Sequence, residues 1–403
     1  MTRQTIKFIK VVKAPPSLAY SAFTNATALK EWLCDVATVL PRNGGRVFLA
    51  WNSGYYTCGG YTALETDHTV SFSWRGRIDP TASQVQVSID QVKEGTRITL
   101  EHTVDGEGEA WEEIVREIED GWNGSLENLV SVLETGEDLR LTLRPMLGIT
   151  ITDFNAEIAA KEGIPVSTGM RLDGVIDGMG AKAAGLMPND VIVGMAGREI
   201  RDYADLAAAL QRKRAGDVVD VEIYRGSEKM TLAMQLSRRP TPAIPTSIEG
   251  LSLALRESWR KIETEVDAFF MDVTDEQAAF KPGPEEWSVK EVLAHFIQGE
   301  RGYQNYICGI VDGQEQWSDD FGGNQYAYIK ATVSVYPRLS ELLVEFKRSH
   351  LETIALFENL PTSIIERKGS FWRLAHNALE DPYHFHTHLD QMRAALEAAR
   401  SPA

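Results

Sequence analysis

The chain has 403 residues, 43% of them hydrophobic and 25% charged, and its 41 basic and 58 acidic residues leave a net charge of −17. That length exceeds one ordinary core and points to two to four domains of about 100 to 200 residues each. The acidic balance argues against a general role on nucleic acid or an anionic membrane, and no basic cluster with interleaved aromatics offsets it. Cys34, Cys58 and Cys308 are odd in number, far apart and without Cys-x-x-Cys spacing, the usage of reduced thiols in a cytoplasm. The first ten residues, Met1 to Lys10, alternate apolar and polar types rather than forming a signal peptide. No apolar run reaches the roughly 18 to 20 residues of a spanning helix. The expectation is a cytoplasmic, multidomain α+β protein.

Residues 1–135 read as an opening strand and two short helices, Leu18 to Phe23 and one ending near Trp32-Leu33. Strand-like runs follow at Arg46 to Ala50, Tyr55 to Leu64, Thr69 to Trp74, Val85 to Ile89 and Thr96 to Thr103, and a long amphipathic helix from Glu109 to Leu133 closes the module. This order describes a helix-grip barrel, a curved antiparallel sheet closed by one helix that can enclose an apolar cavity. Trp32, Gly44-Gly45, Gly59-Gly60, Trp74, Gly95-Thr96-Arg97 and Gly121 to Leu126 together resemble the family named for the activator of heat-shock protein 90 ATPase, within the START-like (SRPBCC) superfamily. A co-chaperone role would rest on that family's name alone. Trp51, Tyr55, Tyr56, Phe72, Trp74, Trp111 and Trp122 either line a cavity for a small apolar ligand or simply pack the core. No acid–base pair stands out.

Residues 140–238 follow a polar break at Thr135 to Asp138. Pro145 to Ile151 is a turn feeding a strand, Gly174 to Ile176 is a second strand, and Gly178 to Ile192 precedes Val193 to Gly197. With a helix at Tyr203 to Arg212 and strands at Val218 to Tyr224 and Met230 to Leu236, this order is similar to bacterial PDZ domains, although Gly180 stands where proline is common and Asn189 where glycine is usual. Asparagine tolerates the left-handed turn required there. The resemblance implies strand addition: a peptide or protein C-terminus pairs beside Gly148 while backbone N–H groups of Leu147, Gly148 and Ile149 receive its carboxylate. Ile149, Ile151, Leu206 and Leu210 would take an apolar last side chain. The same sheet edge could instead grip a neighbouring domain.

Residues 239–249 form a Pro-rich linker, with Pro240, Pro242 and Pro245 stiffening it. In residues 250–400, helix one spans Ile248 to Met271, and helix two is capped by Ser288 with Glu291 completing a capping box and Trp287 stapling onto Val292. Helix three runs from Tyr336 to Leu360. The connection from Asp312 to Val333 carries Trp317, Phe321, Tyr326 and Tyr328 and is expected to be a loop shaping access to a site. The last helix carries His384 and His388 one turn apart on one face, with Gln391 continuing that stripe. Pro382 either kinks that helix or stands first in a fresh one capped by Asp381.

Two imidazoles so placed can hold one metal ion, and His295 in helix two is taken as the third ligand. His386 points away from the pair. Three neutral histidines leave an open coordination position, the pattern of a reactive site. The tryptophan and capping serine before the helix of His295, followed by His384-x-x-x-His388-Leu389-x-Gln391, look like the DinB family of four-helix bundles, which implies a divalent metal. The donor set suits zinc or nickel, and also iron or copper. Gln391 is a candidate to orient His388, and Glu300 a weaker one.

Two functions follow. One is a binding or adaptor protein whose barrel holds an apolar ligand or client, whose PDZ module grips a peptide and whose bundle is tied by metal. The alternative is a metal-dependent enzyme of thiol S-transferase or hydrolase type, with no catalytic residue assignable beyond the metal ligands.

Overall fold

The computed structural model describes residues 2–106, 108–211, 213–315, 326–380 and 382–400. They fall into two compact units, Met1–Asp138 with Pro242–Ala403, and Leu139–Thr241. The chain is a multidomain α+β protein, with a sheet-rich N-terminal part that fits the START-like expectation, a second sheet-bearing module and a helical C-terminal region.

The START-like part runs β1 (Thr2–Val12), α1 (Pro16–Thr24), α2 (Ala26–Trp32), β2 (Val36–Val39), β3 (Arg46–Ala50), β4 (Tyr56–Glu65), β5 (Thr69–Gly76), β6 (Ser83–Val92), β7 (Gly95–Gly106) and α3 (Glu109–Thr135). Strands β2 to β7 meander in order and β1 adds beside β7, every pair antiparallel. Period-two alternation turns Val85, Val87, Ile89, Ile98 and Leu100 into the core, where α3 adds Trp122, Leu126 and Leu129. The short edge strand β2 is an element the sequence did not announce.

In the second unit the order is α4 (Leu139–Thr142), β8 (Pro145–Met146), β9 (Ile149–Thr152), α5 (Ala156–Glu162), β10 (Met170–Val175), α6 (Gly180–Ala183), β11 (Val191–Met195), β12 (Arg198–Glu199), α7 (Tyr203–Leu210), β13 (Val218–Arg225), β14 (Glu228–Gln235) and β15 (Ser237–Arg238). The main sheet runs β14-β13-β11-β10-β9, which leaves β9 at an edge. Asn189 takes φ 73°, the left-handed conformation expected of it. β8 pairs with β15, so the chain leaves this unit beside the point where it enters.

The helical region comprises α8 (Ile248–Phe270), α9 (Asp275–Ala279), α10 (Val289–Asp312), α11 (Tyr326–Val335), α12 (Leu339–Glu358), α13 (Lys368–Glu380) and α14 (Pro382–Arg400). Ser288 and Glu291 close the predicted capping box on α10. Two expectations change. The connection expected as a loop from Asp312 to Val333 is helical from Tyr326, because Ile329 and Thr332 bury against the bundle; Trp317 and Phe321 lie outside the described residues. An additional helix, α13, precedes the last one; Asp381, on which the choice between a kink and a fresh helix at Pro382 turns, lies outside the described residues. No described helix is long and apolar enough to cross a membrane.

Candidate functional site

In the helical region, His295 sits in the second turn of α10, buried against Trp287 with ring centres 5.2 Å apart. From α14, His388 brings its ring to 5.1 Å from that of His295 and 5.3 Å from that of Phe296. Two imidazoles on one tetrahedral ion, each ring centre about 3.2 Å from it, stand about 5 Å apart, so the two rings fit the spacing of a shared metal. His388 Nδ1 lies 2.8 Å from Gln391 Oε1. Since an amide oxygen only accepts, that bond puts the imidazole proton on Nδ1 and the lone pair on Nε2, the nitrogen then able to bind a metal.

The side chain of His384 lies outside the described residues. Among the described residues no group of three His, Cys, Asp or Glu side chains is placed to hold a metal. His386 turns away, as expected, to Glu265 Oε2 at 3.0 Å. Glu300 faces α12 instead, its Oε2 3.8 Å from Nε2 of buried His350. Burial holds the His350 imidazole neutral, well below its ordinary range. Nothing in the sequence around His350 marked this pair.

The second candidate is the START-like interior. Phe72, Trp74 and Trp122 are buried in the core, whereas Trp51, Tyr55 and Trp111 pack half-buried at its margin. The indole N–H groups of three of them are already committed: Trp51 donates to the Leu33 carbonyl at 2.6 Å, Trp74 to the Tyr55 hydroxyl at 3.2 Å and Trp122 to His102 Nδ1 at 2.9 Å. His102 Nε2 meets Ser83 Oγ at 2.7 Å. Because Trp122 can only donate, His102 carries its proton on Nε2 and donates to Ser83, which in turn donates to the Trp74 carbonyl. In this tautomer the imidazole cannot take a proton from Ser83, so the pair is a buried polar tie and not an activated nucleophile. Desolvation pulls the His102 pKa down to about 4. The relay was not legible beforehand, since Ser83 and His102 are joined only by strand register.

The third is the edge of β9. Gly148 has φ +77°, and a Cβ there would stand 2.3 Å from that of Met179, so only glycine fits this turn. The Leu147 and Gly148 carbonyls accept from the Ala181 and Ile176 amides, which fixes the turn's orientation. Ile149 is half-buried and pairs with Val175, while Ile151 pairs with Leu172 and is 44% exposed. Of the predicted groove residues on α7, Leu206 is buried and Leu210 packs partly against the same core.

Comparison with known proteins agrees with two of these parts. The family model described as activator of Hsp90 ATPase homolog 1-like protein matches residues 13–134, and the PDZ domain model matches residues 145–236. A Marinomonas sp. protein named as a probable periplasmic serine endoprotease, DegP-like, is 31% identical over 24% of this chain and 21% of its own length. The periplasmic pH-dependent serine endoprotease DegQ of Escherichia coli is 25% identical over 28% of this chain and 26% of its own. The chain therefore spans about a fifth to a quarter of the length of these curated relatives, and the shared part is the PDZ region. Among solved structures, the Aha1 dimer from Colwellia psychrerythraea is 20% identical, covering 32% of this chain and 96% of that one with a TM-score of 0.30. An HSP90 activator from Plasmodium falciparum is 25% identical, covering 32% and 95% with a TM-score of 0.28. The assignment of the first domain rests on the family model.

Proposed function

We propose that the chain is an adaptor that presents a peptide-binding PDZ edge alongside a START-like binding domain, with a DinB-like helical region holding a divalent metal. The open edge of β9 beside the glycine-only turn at Gly148 carries the adaptor reading, because it offers backbone pairing to an extended peptide. Peptides with an apolar last residue and a free carboxylate are expected to bind at about micromolar Kd and to lose about tenfold or more on amidation. Fluorescence anisotropy on a set of labelled peptides checks this, and equal binding of acid and amide forms would sink carboxylate capture. At the START-like margin the ligand class is small and apolar, meeting Trp51, Tyr55 and Trp111. Three thiols without disulfides, two of them exposed, support a reducing, cytoplasmic setting.

The ring spacing of His295 and His388 and the Gln391 bond favour metal binding as a second strand of the same reading. His295, His384 and His388 would hold zinc or nickel, and such an ion can supply a Lewis acid or an activated water. The protein's own part is to fix His388 in one tautomer through Gln391 and to bury His295 between Trp287 and Phe296. Metal-dependent thiol transfer or hydrolysis is the alternative function. Metal content per chain by plasma mass spectrometry, wild type against His388→Ala, tests the site; a chain that stays metal-free in excess zinc and nickel would remove it.

A further inference from the structure

The START-like domain carries two adjacent charges, Lys30 and Glu31, on α2 between buried Leu29 and Trp32. Such a pair would ordinarily face water, yet Lys30 is buried and Glu31 half-buried, and what covers them is the helical region. Just past the end of α10, Glu315 accepts from Lys30 Nζ at 2.7 Å and takes both arms of Arg373 from α13 at 2.8 and 2.9 Å. Ser370 on α13 donates to Glu31 Oε1 at 2.5 Å and accepts from Arg367, whose guanidinium also holds the last carbonyls of α10 at Ile310 and Val311. Burial raises the Glu31 pKa and lowers that of Lys30, while Glu315 beside Lys30 opposes the latter.

Backbone contacts frame this network. Asn25 donates to the Gly313 carbonyl at 3.1 Å, the Glu315 amide donates to Thr27 Oγ1 at 3.3 Å, and Lys368 donates to the Glu134 carbonyl at 2.7 Å. Shape agrees with charge. A Cβ on Gly369 would stand 2.6 Å from both Glu31 Oε2 and Val132 Cγ1, and one on Gly136 would stand 2.4 Å from the Lys368 carbonyl oxygen. The two halves approach closely where each offers a glycine. Buried ion pairs contribute modest net stability but define one partner and one register, because a mismatched surface leaves a charge buried alone.

We infer that the α2–α3 face of the START-like domain is a protein-docking surface built for the helical region of its own chain, and that the PDZ module is a guest inserted between two halves of one obligate unit. Pairing of β8 with β15 brings the guest's two ends together. This face is accordingly closed to outside clients, and a client of the START-like domain must use another surface.

The test keeps the full chain and places a specific protease site in the exposed linker around Arg239 to Thr241. After cutting, the halves are expected to elute as one species at about 1 μM and in about 0.5 M salt, since a buried network is little screened. Elution as two separate species overturns the proposal. Glu315→Ala strands Lys30 and Arg373 and should weaken association of the cut halves about 100-fold or more; unchanged association overturns the central role of Glu315. If that variant fails to fold, the cycle between Lys30→Met and Glu315→Gln replaces it. There a double variant holding together about tenfold or more better than the singles predict supports the pairing, and additive losses overturn it.

Discussion

His102 in the START-like barrel and His388 in the helical region are imidazoles set among aromatic rings, yet their neighbours hold them in opposite tautomers. His102 has Trp122 donating to one nitrogen and Ser83 facing the other, so both are used up inside the protein. His388 has Nδ1 tied to an acceptor, Gln391, with the His295 ring 5.1 Å away. A donor on Nδ1 forces the proton to Nε2; an acceptor on Nδ1 forces the lone pair there. The identity of one neighbouring group thus decides which nitrogen carries the proton: His102 is a tie, and His388 has the tautomer that the proposed ligand role requires.

The comparison breaks most sharply under a paired substitution. His388→Ala should reduce bound metal from near one per chain to below roughly a tenth, because two imidazoles hold a divalent ion far less well than three. His102→Ala should leave metal content unchanged. It should cost about 3 kcal/mol of stability instead, since a cavity opens and the Trp122 N–H and Ser83 lose their partner. Plasma mass spectrometry and denaturant unfolding on both variants read the two effects; metal loss in His102→Ala would erase the distinction.

Acidity sharpens it further. The folded-state pKa of His102, about 4, lies below the ordinary value near 6.5, so the unfolded chain takes up the proton more readily. The associated stability is fully present above about pH 6.5 and is lost as pH falls towards 4. Buried His350 acts in the same direction. Between about pH 6.5 and pH 5 the His102 share is about 1.6 kcal/mol. Unfolding curves for wild type and His102→Gln at those two pH values should differ in their acid loss by that amount, and parallel losses would mean His102 is protonated in the folded state.

How far such sites were legible beforehand depends on how locally they are encoded. The capping box of Ser288 and Glu291, the left-handed Asn189 and the one-turn spacing of His384, His388 and Gln391 are short-range patterns, and the described parts of each were anticipated. Strand alternation gave the barrel and the PDZ sheet, while β2, four residues long, carried too short a pattern. The Ser83–His102–Trp122 relay and the Glu315 network join residues 19 to 339 positions apart, through strand register and tertiary docking that no local pattern records. Lys30 and Glu31 look like surface residues until α13 covers them. The expected loop was misread for a related reason: the burial of Ile329 and Thr332 that makes α11 a helix depends on α10 beside it.

The smallest expected effect bears on the tautomer itself. Gln391→Ala removes the acceptor at His388 Nδ1 but leaves all three proposed ligands in place, so metal should still bind. Without that acceptor the imidazole populates both tautomers and rotates more freely, and affinity should fall about tenfold, the lower end of what outer partners of metal-bound histidines contribute. Gln391→Glu supplies a stronger acceptor at the same position and should restore or tighten binding, which a merely structural glutamine would not do. Competition titration with a chromogenic chelator measures all three proteins. Equal affinity in wild type and Gln391→Ala would mean that the bond does not govern His388, and the contrast with His102 would then rest on ring spacing alone.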